Sequence, residues 1–298
     1  MRLLVLGANG QIGWELSRSL LPLGEVIALD RAGCDLANPD TIPHIIGAAG
    51  PDVILNAAGY TWVDRAEADE TLATRVNATA AGVIAQAAHA AGALLVHYST
   101  DYVFDGAKPE PYVEADPPAP LNAYGRSKLA GETAIVAAGG DHLILRTSWV
   151  YAARGRNFLD TILRLARERD ELRIVADQFG APTWARDIAE ATAQTVRQAQ
   201  RERDQGRFTS ETLHMTAAGA TSWHGFAAAI LDRAGDRVPS RPAVHAIATE
   251  DFPTPARRPR NSRLCCDRLS ARFGVTLPDW AAALGACLAE RSVQERAD

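Results

Sequence analysis

The sequence predicts an α/β fold in which helices cover both faces of a doubly wound parallel sheet. Short apolar runs of strand length alternate with longer stretches of helical length through the first half of the 298 residues. Alternation of this kind forms right-handed βαβ units and a parallel sheet. The runs are continuously apolar, as expected for strands that are buried on both faces. They lie at residues 3–6, 26–29, 53–55, 94–98 and 143–146.

The second half is less regular and predicts a smaller α/β domain. Helical periodicity is present at residues 158–169, 222–234 and 278–290, and residues 172–175 and 212–215 have strand character. The proline-rich residues 241–259 predict loop or extended chain. We therefore expect one domain at residues 1–150 and a second, formed mainly by residues 151–298, with some segments that return to the first.

The composition excludes several classes of protein. A hydrophobic content of 47% with 22% charged residues is typical of a globular protein rather than a disordered or fibrous one. There is no apolar run of membrane-spanning length, and four scattered cysteines predict reduced thiols in a cytoplasmic protein. The 31 basic residues include only two lysines and form no dense basic stripe. A small anionic ligand is therefore favoured over nucleic acid or a membrane.

A glycine motif follows the first predicted strand. Gly7, Gly10 and Gly13 have the spacing GxxGxxG, and a helical pattern begins at Trp14. The first glycine turns the chain, the second admits a pyrophosphate to the backbone N–H groups, and the third lets the helix pack close to the strand. A plain strand–helix turn is the alternative, but the position favours a Rossmann-type dinucleotide-binding motif.

The next predicted strand ends in Asp30, which would hydrogen-bond the adenosine ribose of NAD. Arg31 follows at once and could instead meet the 2′-phosphate of NADP, so these residues leave the choice of cofactor open. Asp30 could also simply cap the following loop. Asp35 and Leu36 lie where a segment in contact with adenine is expected.

Tyr124 and Lys128 stand four residues apart in a predicted helix and share one face of it. Tyrosine has a pKa near ~10 and is a poor acid–base catalyst at neutral pH unless a nearby ammonium group lowers that pKa. Lysine at this position could also donate to the ribose of a nicotinamide cofactor. An exposed lysine beside a tyrosine is the alternative. The other lysine, Lys108, lies in a proline-rich loop.

Together, the glycine motif and the YxxxK pair resemble the extended short-chain dehydrogenase/reductases. The sequence is most similar to the dTDP-4-dehydrorhamnose reductases within that group. The segments that carry this closer resemblance keep their order along nearly the whole chain. They are residues 10–16, 97–104, 120–125, 146–151, 177–183 and 258–264.

The resemblance implies reduction of the C4 ketone of dTDP-4-dehydro-L-rhamnose to dTDP-L-rhamnose, with NADPH or NADH as the reductant. The first domain would bind the dinucleotide and the second the dTDP-sugar. The alternatives are a non-catalytic NADP-binding regulatory subunit of the kind that partners methionine adenosyltransferase, and another sugar-nucleotide reductase or epimerase. Tyr124, Lys128 and Thr100 are all present, which favours the enzyme, since a pure binding module does not need all three.

The resemblance also assigns residues to roles. Tyr124 would protonate the new alkoxide, Lys128 would tune it, and Thr100 would hydrogen-bond the ketone. The residues expected to bind the cofactor are Gly7, Gly10, Gln11, Ile12, Gly13, Asp30, Arg31, Asp35, Leu36, Gly59, Tyr60, Thr61, Tyr102, Tyr124 and Lys128. The residues expected to bind the substrate are Thr100, Asp101, Trp149, Arg258 and Arg263.

Some of these assignments have a structural alternative. Thr100 could cap a turn, and Trp149 could pack in the core. Arg186 lies near the place where some relatives carry a carboxylate linked to a metal-bridged dimer. We therefore predict no bound metal. Mg²⁺ is the alternative, because Glu15 is retained. We expect either a monomer or a homodimer.

Overall fold

The chain has the predicted α/β architecture in a computed structural model that describes residues 1–238 and 241–295. Its strands are β1 (Arg2–Leu6), β2 (Glu25–Leu29), β3 (Val53–Asn56), β4 (Leu94–Thr100), β5 (His142–Thr147), β6 (Val150–Tyr151), β7 (Glu171–Val175), β8 (Phe179–Gly180), β9 (Thr183–Trp184), β10 (Glu211–His214), β11 (Thr221–Ser222) and β12 (Ala243–Ile247). The α-helices are α1 (Gln11–Ser19), α2 (Ile42–Ala49), α3 (Val63–Ala68), α4 (Glu70–Thr74), α5 (Ala80–Ala90), α6 (Ala123–Ala137), α7 (Phe158–Glu168), α8 (Ala185–Asp204), α9 (Trp223–Ala234), α10 (Asp267–Phe273) and α11 (Trp280–Glu295).

The central sheet contains six strands in the order β10-β5-β4-β3-β1-β2. Every neighbouring pair is parallel. The five strands predicted in the first half are all present, and the doubly wound parallel sheet is confirmed. The strand predicted at residues 212–215 forms the edge of this sheet beside β5.

Helices cover both faces of the sheet. On one face Leu16 of α1, Val196 of α8 and Phe273 of α10 share a buried cluster with the strands. On the other face Ile42 of α2 and Ile84 of α5 belong to a second cluster. The strands between these clusters are apolar along their whole length because neither of their faces meets water.

A further core forms in the second half of the chain. Helices α7, α9 and α11 contribute Ile162, Phe226 and Leu284 to it. Beside it, β7 pairs in parallel with β12, which lies inside the proline-rich segment predicted as loop or extended chain. The segments β10, α8 and α10 return to the central sheet. The predicted division of function at residue 150 stays a prediction, and residues 239–240 and 296–298 of the second domain lie outside the described residues.

The alanine-rich stretch at residues 66–91 has the length of one long helix but is divided. Helix α3 ends at Ala68, and α4 begins after Asp69, whose side chain accepts a hydrogen bond from the Leu72 N–H at 3.1 Å. A π-helical turn at Arg75–Thr79 then separates α4 from α5. Asp69 is a favourable N-cap residue, so its side chain ends one helix and starts the next.

No helix within the described ranges combines the length and the hydropathy that a membrane crossing needs. Cys34, Cys265, Cys266 and Cys287 are all free thiols.

Two glycines determine how closely α1 approaches the sheet. Gly7 has φ +85°, which favours glycine, and a Cβ there would lie 2.7 Å from the Ala58 nitrogen. A Cβ at Gly13 would lie 2.1 Å from the Gly7 carbonyl oxygen. The helix can therefore start directly beyond β1 only with glycine at both positions.

Gly13→Ala should lower the free energy of unfolding by about 1–3 kcal/mol, because the added methyl group forces α1 away from β1. Gly47→Ala is the matched control, since it lies in helix α2 and a Cβ there meets nothing within 4 Å. This control should stabilise the protein by about 0.5–1 kcal/mol. Urea unfolding curves measure both effects, and equal stability of the two variants would contradict the close-packing argument.

Candidate active site

The predicted site residues gather at the carboxyl edge of the central sheet. Gly7 follows β1, Gly59 lies beyond β3, Thr100 ends β4, and Trp149 follows β5. The carboxyl ends of parallel strands meet at one edge, and this edge is where open α/β sheets bind their ligands. Residues that are far apart in sequence thus form one surface.

Helix α6 brings Tyr124 to this edge. Its N-cap is Asn122, whose side-chain oxygen accepts from the Gly125 N–H at 2.8 Å. A Cβ on Gly125 would lie 2.2 Å from the Tyr102 carbonyl oxygen, so the start of the helix packs directly on the turn after β4. The rings of Tyr124 and Tyr102 meet edge to face with centroids 6.0 Å apart.

The pKa of Tyr124 is raised to about 12 in this structure. Burial is the main cause, a hydrogen bond with the Thr100 hydroxyl opposes it, and the charge of Asp101 adds to the rise. The YxxxK spacing predicts that Lys128 lowers this pKa, but Lys128 is not among the groups that shift it here. The reason is that the ammonium group is directed to strand β4 instead.

Lys128 is buried and points at strand β4. Its Nζ donates to the Tyr98 carbonyl oxygen at 2.6 Å and lies 3.0 Å from His97 Nε2. Burial lowers the pKa of Lys128 to about 8, and the charge of Glu132 opposes that shift. The alternative of an exposed helix lysine is therefore wrong. His97 is itself buried, and its pKa lies well below the usual value. The YxxxK motif did not predict this contact.

Thr100 and Asp101 form a buried polar pair at the end of β4. The Thr100 hydroxyl donates to Asp101 Oδ1 at 2.9 Å and accepts from the Tyr102 N–H at 3.1 Å. Thr100 therefore does cap the turn, as its structural alternative proposed, and its side chain also acts on the pKa of Tyr124. Burial raises the pKa of Asp101 to about 6, although the neighbouring hydroxyl groups of Ser262, Thr100 and Ser148 oppose the rise.

The glycine motif leaves a cradle at the start of α1. Gly10 is the N-cap and provides no side-chain bond, so the first N–H groups of the helix are not satisfied by a cap. Gln11 Oε1 is buried and has no partner among the described residues. Unsatisfied donors at a helix N-terminus and room that only glycine leaves are suited to a pyrophosphate. Ile12 packs against the core cluster behind this cradle.

The residues expected around the adenosine end have several contacts already. The Asp30 carboxylate accepts from Asn9 Nδ2 at 2.8 Å and from the Ala32 N–H at 3.0 Å, so it does cap the loop after β2. Arg31 is 80% exposed and pairs with Asp35 at 3.3 Å. Leu36 is buried in the core. Arg31 is therefore the cation of this group that is accessible to a phosphate.

Asn77 organises the segment after β3. Its Oδ1 accepts from the Tyr60 N–H at 2.8 Å, and its Nδ2 donates to the Tyr60 carbonyl oxygen and to Ser127 Oγ. It thereby holds the Gly59–Thr61 segment beside α6. Asn77 lies in the π-helical turn, and such turns are frequent at functional sites. In the sequence, this role of Asn77 is indicated only by a single amide side chain within an alanine-rich stretch.

Trp149 is the one described non-glycine residue with positive φ, at +48°. Its ring stacks on Trp223 with centroids 3.5 Å apart, and a Cβ on Gly180 would lie 2.5 Å from that ring. A bulky residue in the left-handed region is strained, and such strain collects at functional sites. The structure thus places Trp149 at the sheet edge, supported by a residue from the second half of the chain.

Arg258 and Arg263 differ in their surroundings. Arg258 donates to both carboxylate oxygens of Asp64, at 3.0 and 2.8 Å. It also lines a cleft of about 250 Å³ beside the loop that precedes α6. The cleft residues include Gly106, Leu121, Glu250, Arg257, Arg258 and Arg260. Arg263 is instead bound to the Pro109 carbonyl oxygen and to Asn261.

The carboxylates near Arg186 are paired with arginine. Glu15 Oε2 lies 2.7 Å from Arg18 and 3.4 Å from Arg186, and Arg186 is also 2.5 Å from Glu290. The guanidinium groups of Arg18 and Arg186 thus already occupy the places beside these carboxylates that a metal cation would take. These residues do not fit a metal ion, and no step is assigned to one.

The sequence profile of the family described as RmlD substrate binding domain matches residues 1–293. A dTDP-4-dehydrorhamnose reductase of Burkholderia thailandensis is 56% identical over 294 residues, covering 97% of this chain and 98% of the relative. The chain belongs to this family, the dTDP-4-dehydrorhamnose reductases. The resemblance drawn from the motifs is confirmed.

Solved structures of the family agree. A dTDP-4-dehydrorhamnose reductase from Bacillus anthracis in complex with NADP superposes with a TM-score of 0.86 at 34% identity and covers 97% of this chain and 99% of its own. A dTDP-4-dehydrorhamnose reductase from Clostridium acetobutylicum gives a TM-score of 0.89 at 35% identity, with coverage of 98% and 100%. The Rossmann-type fold class is therefore shared with these two relatives.

The buried carboxyl group of Asp101 should make stability depend on pH. The folded state holds this proton up to a pH of about 6, whereas an unfolded aspartate loses it near ~4. The free energy of unfolding therefore falls as the pH rises through that interval. Asp101→Asn removes this fall, so relative to the wild type it should gain about 1–3 kcal/mol between those two pH values.

Urea unfolding at a series of pH values measures the difference. Asp187→Asn is the matched comparison, because burial and Glu190 also raise the pKa of Asp187 to about 6 and it belongs to α8. It should show the same trend. A constant difference between Asp101→Asn and the wild type at every pH would contradict the raised pKa.

Proposed function

We propose that this protein reduces the C4 ketone of dTDP-4-dehydro-L-rhamnose to give dTDP-L-rhamnose, with NADPH or NADH as the reductant. The observation that carries the proposal is that Tyr124 and Thr100 stand together at the carboxyl edge of the sheet, where Thr100 acts on the pKa of the phenol, beside a glycine cradle. The family membership supplies the substrate. Its relatives are named for this activity over nearly the full length of the chain.

Tyr124 is the proposed acid. A phenol with a pKa of about 12 keeps its proton at neutral pH, so it can donate that proton as negative charge develops on the C4 oxygen. Thr100 holds the same oxygen by a hydrogen bond, and Asp101 fixes the Thr100 hydroxyl through the contact at 2.9 Å. When bound, the reduced nicotinamide supplies the hydride. The ring of Tyr102 packs edge to face against the phenol.

The proposed cofactor site follows the sheet edge. Gly7, Gly10 and Gly13 with Gln11 and Ile12 would hold the pyrophosphate at the start of α1. The adenosine end would be held by Asp30, Arg31, Asp35 and Leu36, and the nicotinamide end by Gly59, Tyr60, Thr61, Tyr102 and Lys128. The exposure of Arg31 is compatible with a 2′-phosphate, while Asp30 is compatible with a free ribose hydroxyl.

The proposed substrate site joins the two halves of the chain. Thr100, Asp101 and Trp149 would contact the sugar, and Arg258 and Arg263 the diphosphate, since guanidinium forks suit phosphate oxygens. The dTDP-sugar would be the only partner besides the cofactor, with no nucleic acid or membrane, in a monomer or a homodimer. The four free thiols support a cytoplasmic location.

A coupled assay tests the proposal directly. NADPH or NADH oxidation is followed with enzymatically generated dTDP-4-dehydro-L-rhamnose. Loss of reduced cofactor that depends on the ketone is the expected result. Cofactor binding without any such loss would instead support the second candidate, a non-catalytic NADP-binding subunit, and turnover of other 4-keto sugar nucleotides alone would indicate a different reductase.

Tyr124→Phe should lower kcat by about 10²–10⁴-fold, because the proton donor is lost while the ring remains. The dissociation constant of NADPH, measured by fluorescence, should stay close to the wild-type value. Tyr112→Phe is the control for loss of a buried tyrosine hydroxyl, since its hydroxyl donates to Asp105 and not to Thr100 or Asp101. A kcat near that of the wild type in Tyr124→Phe would remove Tyr124 from the role of acid.

Arg258→Met should raise KM for the dTDP-sugar about tenfold or more, as expected for loss of a charged hydrogen bond to phosphate. Arg263→Met is the comparison, because Arg258 lines the cleft beside the loop that precedes α6 and Arg263 does not. Steady-state kinetics at saturating NADPH separates them. A larger rise in KM for Arg263→Met than for Arg258→Met would reverse the assignment of these two arginines.

A further inference from the structure

Helix α6 carries three polar side chains at successive four-residue steps. Tyr124, Lys128 and Glu132 follow one another at this spacing and therefore share one face of the helix. That face is turned toward the strands, since Lys128 and Glu132 are both only 5% exposed. Glu132 is the member of this series to which the proposed mechanism gives no role.

The Glu132 carboxylate makes three hydrogen bonds to two strands. It accepts from Ser99 Oγ at 2.5 Å on β4, and from Arg146 Nε at 2.9 Å and a terminal nitrogen at 2.7 Å on β5. The arginine contact is the bidentate fork, the geometry that fixes orientation best. Ser99 immediately precedes Thr100, so this carboxylate connects α6 to the strand end that carries the reactive hydroxyl.

We propose that Glu132 is a positioning residue for the reduction: it locks the Tyr124–Lys128 face of α6 onto the end of β4 and keeps a negative charge one helical turn from the Lys128 ammonium. The inference rests on the proposed function. Glu132 acts through Lys128, Ser99 and Arg146, and it does not touch the reacting atoms.

The energetics favour a functional reason for this ion pair. A buried pair of charges gives little net stability, and apolar residues of similar size often replace one without loss. The Glu132–Arg146 pair, with side-chain exposures of 6% and 5%, is of this kind. Together with the Ser99 contact, it does, however, place one helix residue and two strand residues in fixed register. Small displacements of reacting groups reduce rates strongly, so such register has catalytic value.

The charges around Lys128 identify Glu132 as its electrostatic support. From β4 the ammonium faces His97 and the Tyr98 carbonyl oxygen, and from its own helix it faces Glu132. His97 is held neutral by burial and by Lys128 itself. Arg146 binds Glu132 and lies over the Phe104 ring. It also acts on His214, and burial with this positive charge lowers the pKa of His214 to about 3. Glu132 is thus the charge that favours the protonated form of Lys128.

The test is the pH dependence of activity and of cofactor binding. Glu132→Gln keeps the shape of the side chain and removes its charge. The alkaline limb of the pH profiles of kcat/KM and of NADPH affinity should move to lower pH by roughly one unit. The reason is that Lys128 loses the negative charge of Glu132, which favours its protonated form. At neutral pH the same variant should also lower kcat, because Ser99 and Arg146 hold the helix less firmly.

Two further variants separate this from a merely structural effect. Glu132→Gln alone leaves Arg146 buried without a counter-charge, which is strongly destabilising. The double variant Glu132→Gln with Arg146→Met removes both charges and should show the same shift of the limb. Glu202→Gln is the matched control, a glutamate of α8 paired with Arg272 at 2.6 Å, and it should leave the limb where it is.

The outcomes distinguish the claims. A uniform fall in activity at every pH, with an unmoved limb in both Glu132 variants, would overturn the positioning role. The NADPH-binding profile reports on Lys128 without turnover. A wild-type protein that binds NADPH but reduces no 4-keto sugar would therefore refute the proposed function, while the binding limb would still decide the inference on Glu132.

Discussion

The ammonium group of Lys128 is buried between helix α6 and strand β4, where it donates to the Tyr98 carbonyl oxygen. Much of the site depends on this contact, because it holds the face of α6 that carries Tyr124 against the strand that ends in Thr100. Close packing makes it possible: Gly125 and Gly131 leave room for the Tyr102 and Asn77 carbonyl oxygens, each 2.1–2.2 Å from the place of a Cβ. Helix, strand and π-helical turn are thereby fixed in one arrangement.

The same region keeps groups in states that are unfavourable for folding. Asp101 is buried and Tyr124 is half-buried, and both have raised pKa values, while Lys128 is buried and has a lowered one. Trp149 has a strained backbone. Local rules of stability are commonly broken at functional sites. Their concentration at one sheet edge therefore supports, independently of any relative, the proposal that the reaction takes place there.

The second half of the chain contributes residues to the same proposed site as the first half. Trp223 supports Trp149 by stacking, and Arg258 reaches Asp64 in the first half. The strand β10 extends the central sheet beside β5. A substrate lying across these contacts would touch residues from both halves, which is what a reaction between a dinucleotide and a sugar nucleotide requires.

The sequence by itself determined the fold class, the strands of the first half, the glycine motif and the Tyr124–Lys128 pair, because each depends on local periodicity or on fixed spacing. The break at Asp69, the π-helical turn with Asn77 and the ion pair of Glu132 with Arg146 were decided by tertiary structure. Their partners lie on other elements, such as Tyr60 for Asn77 and Ser99 for Glu132. The direction of the Lys128 side chain was decided in the same way. Spacing places an ammonium on the Tyr124 face of the helix, but only the packing of β4 determines which oxygen it meets.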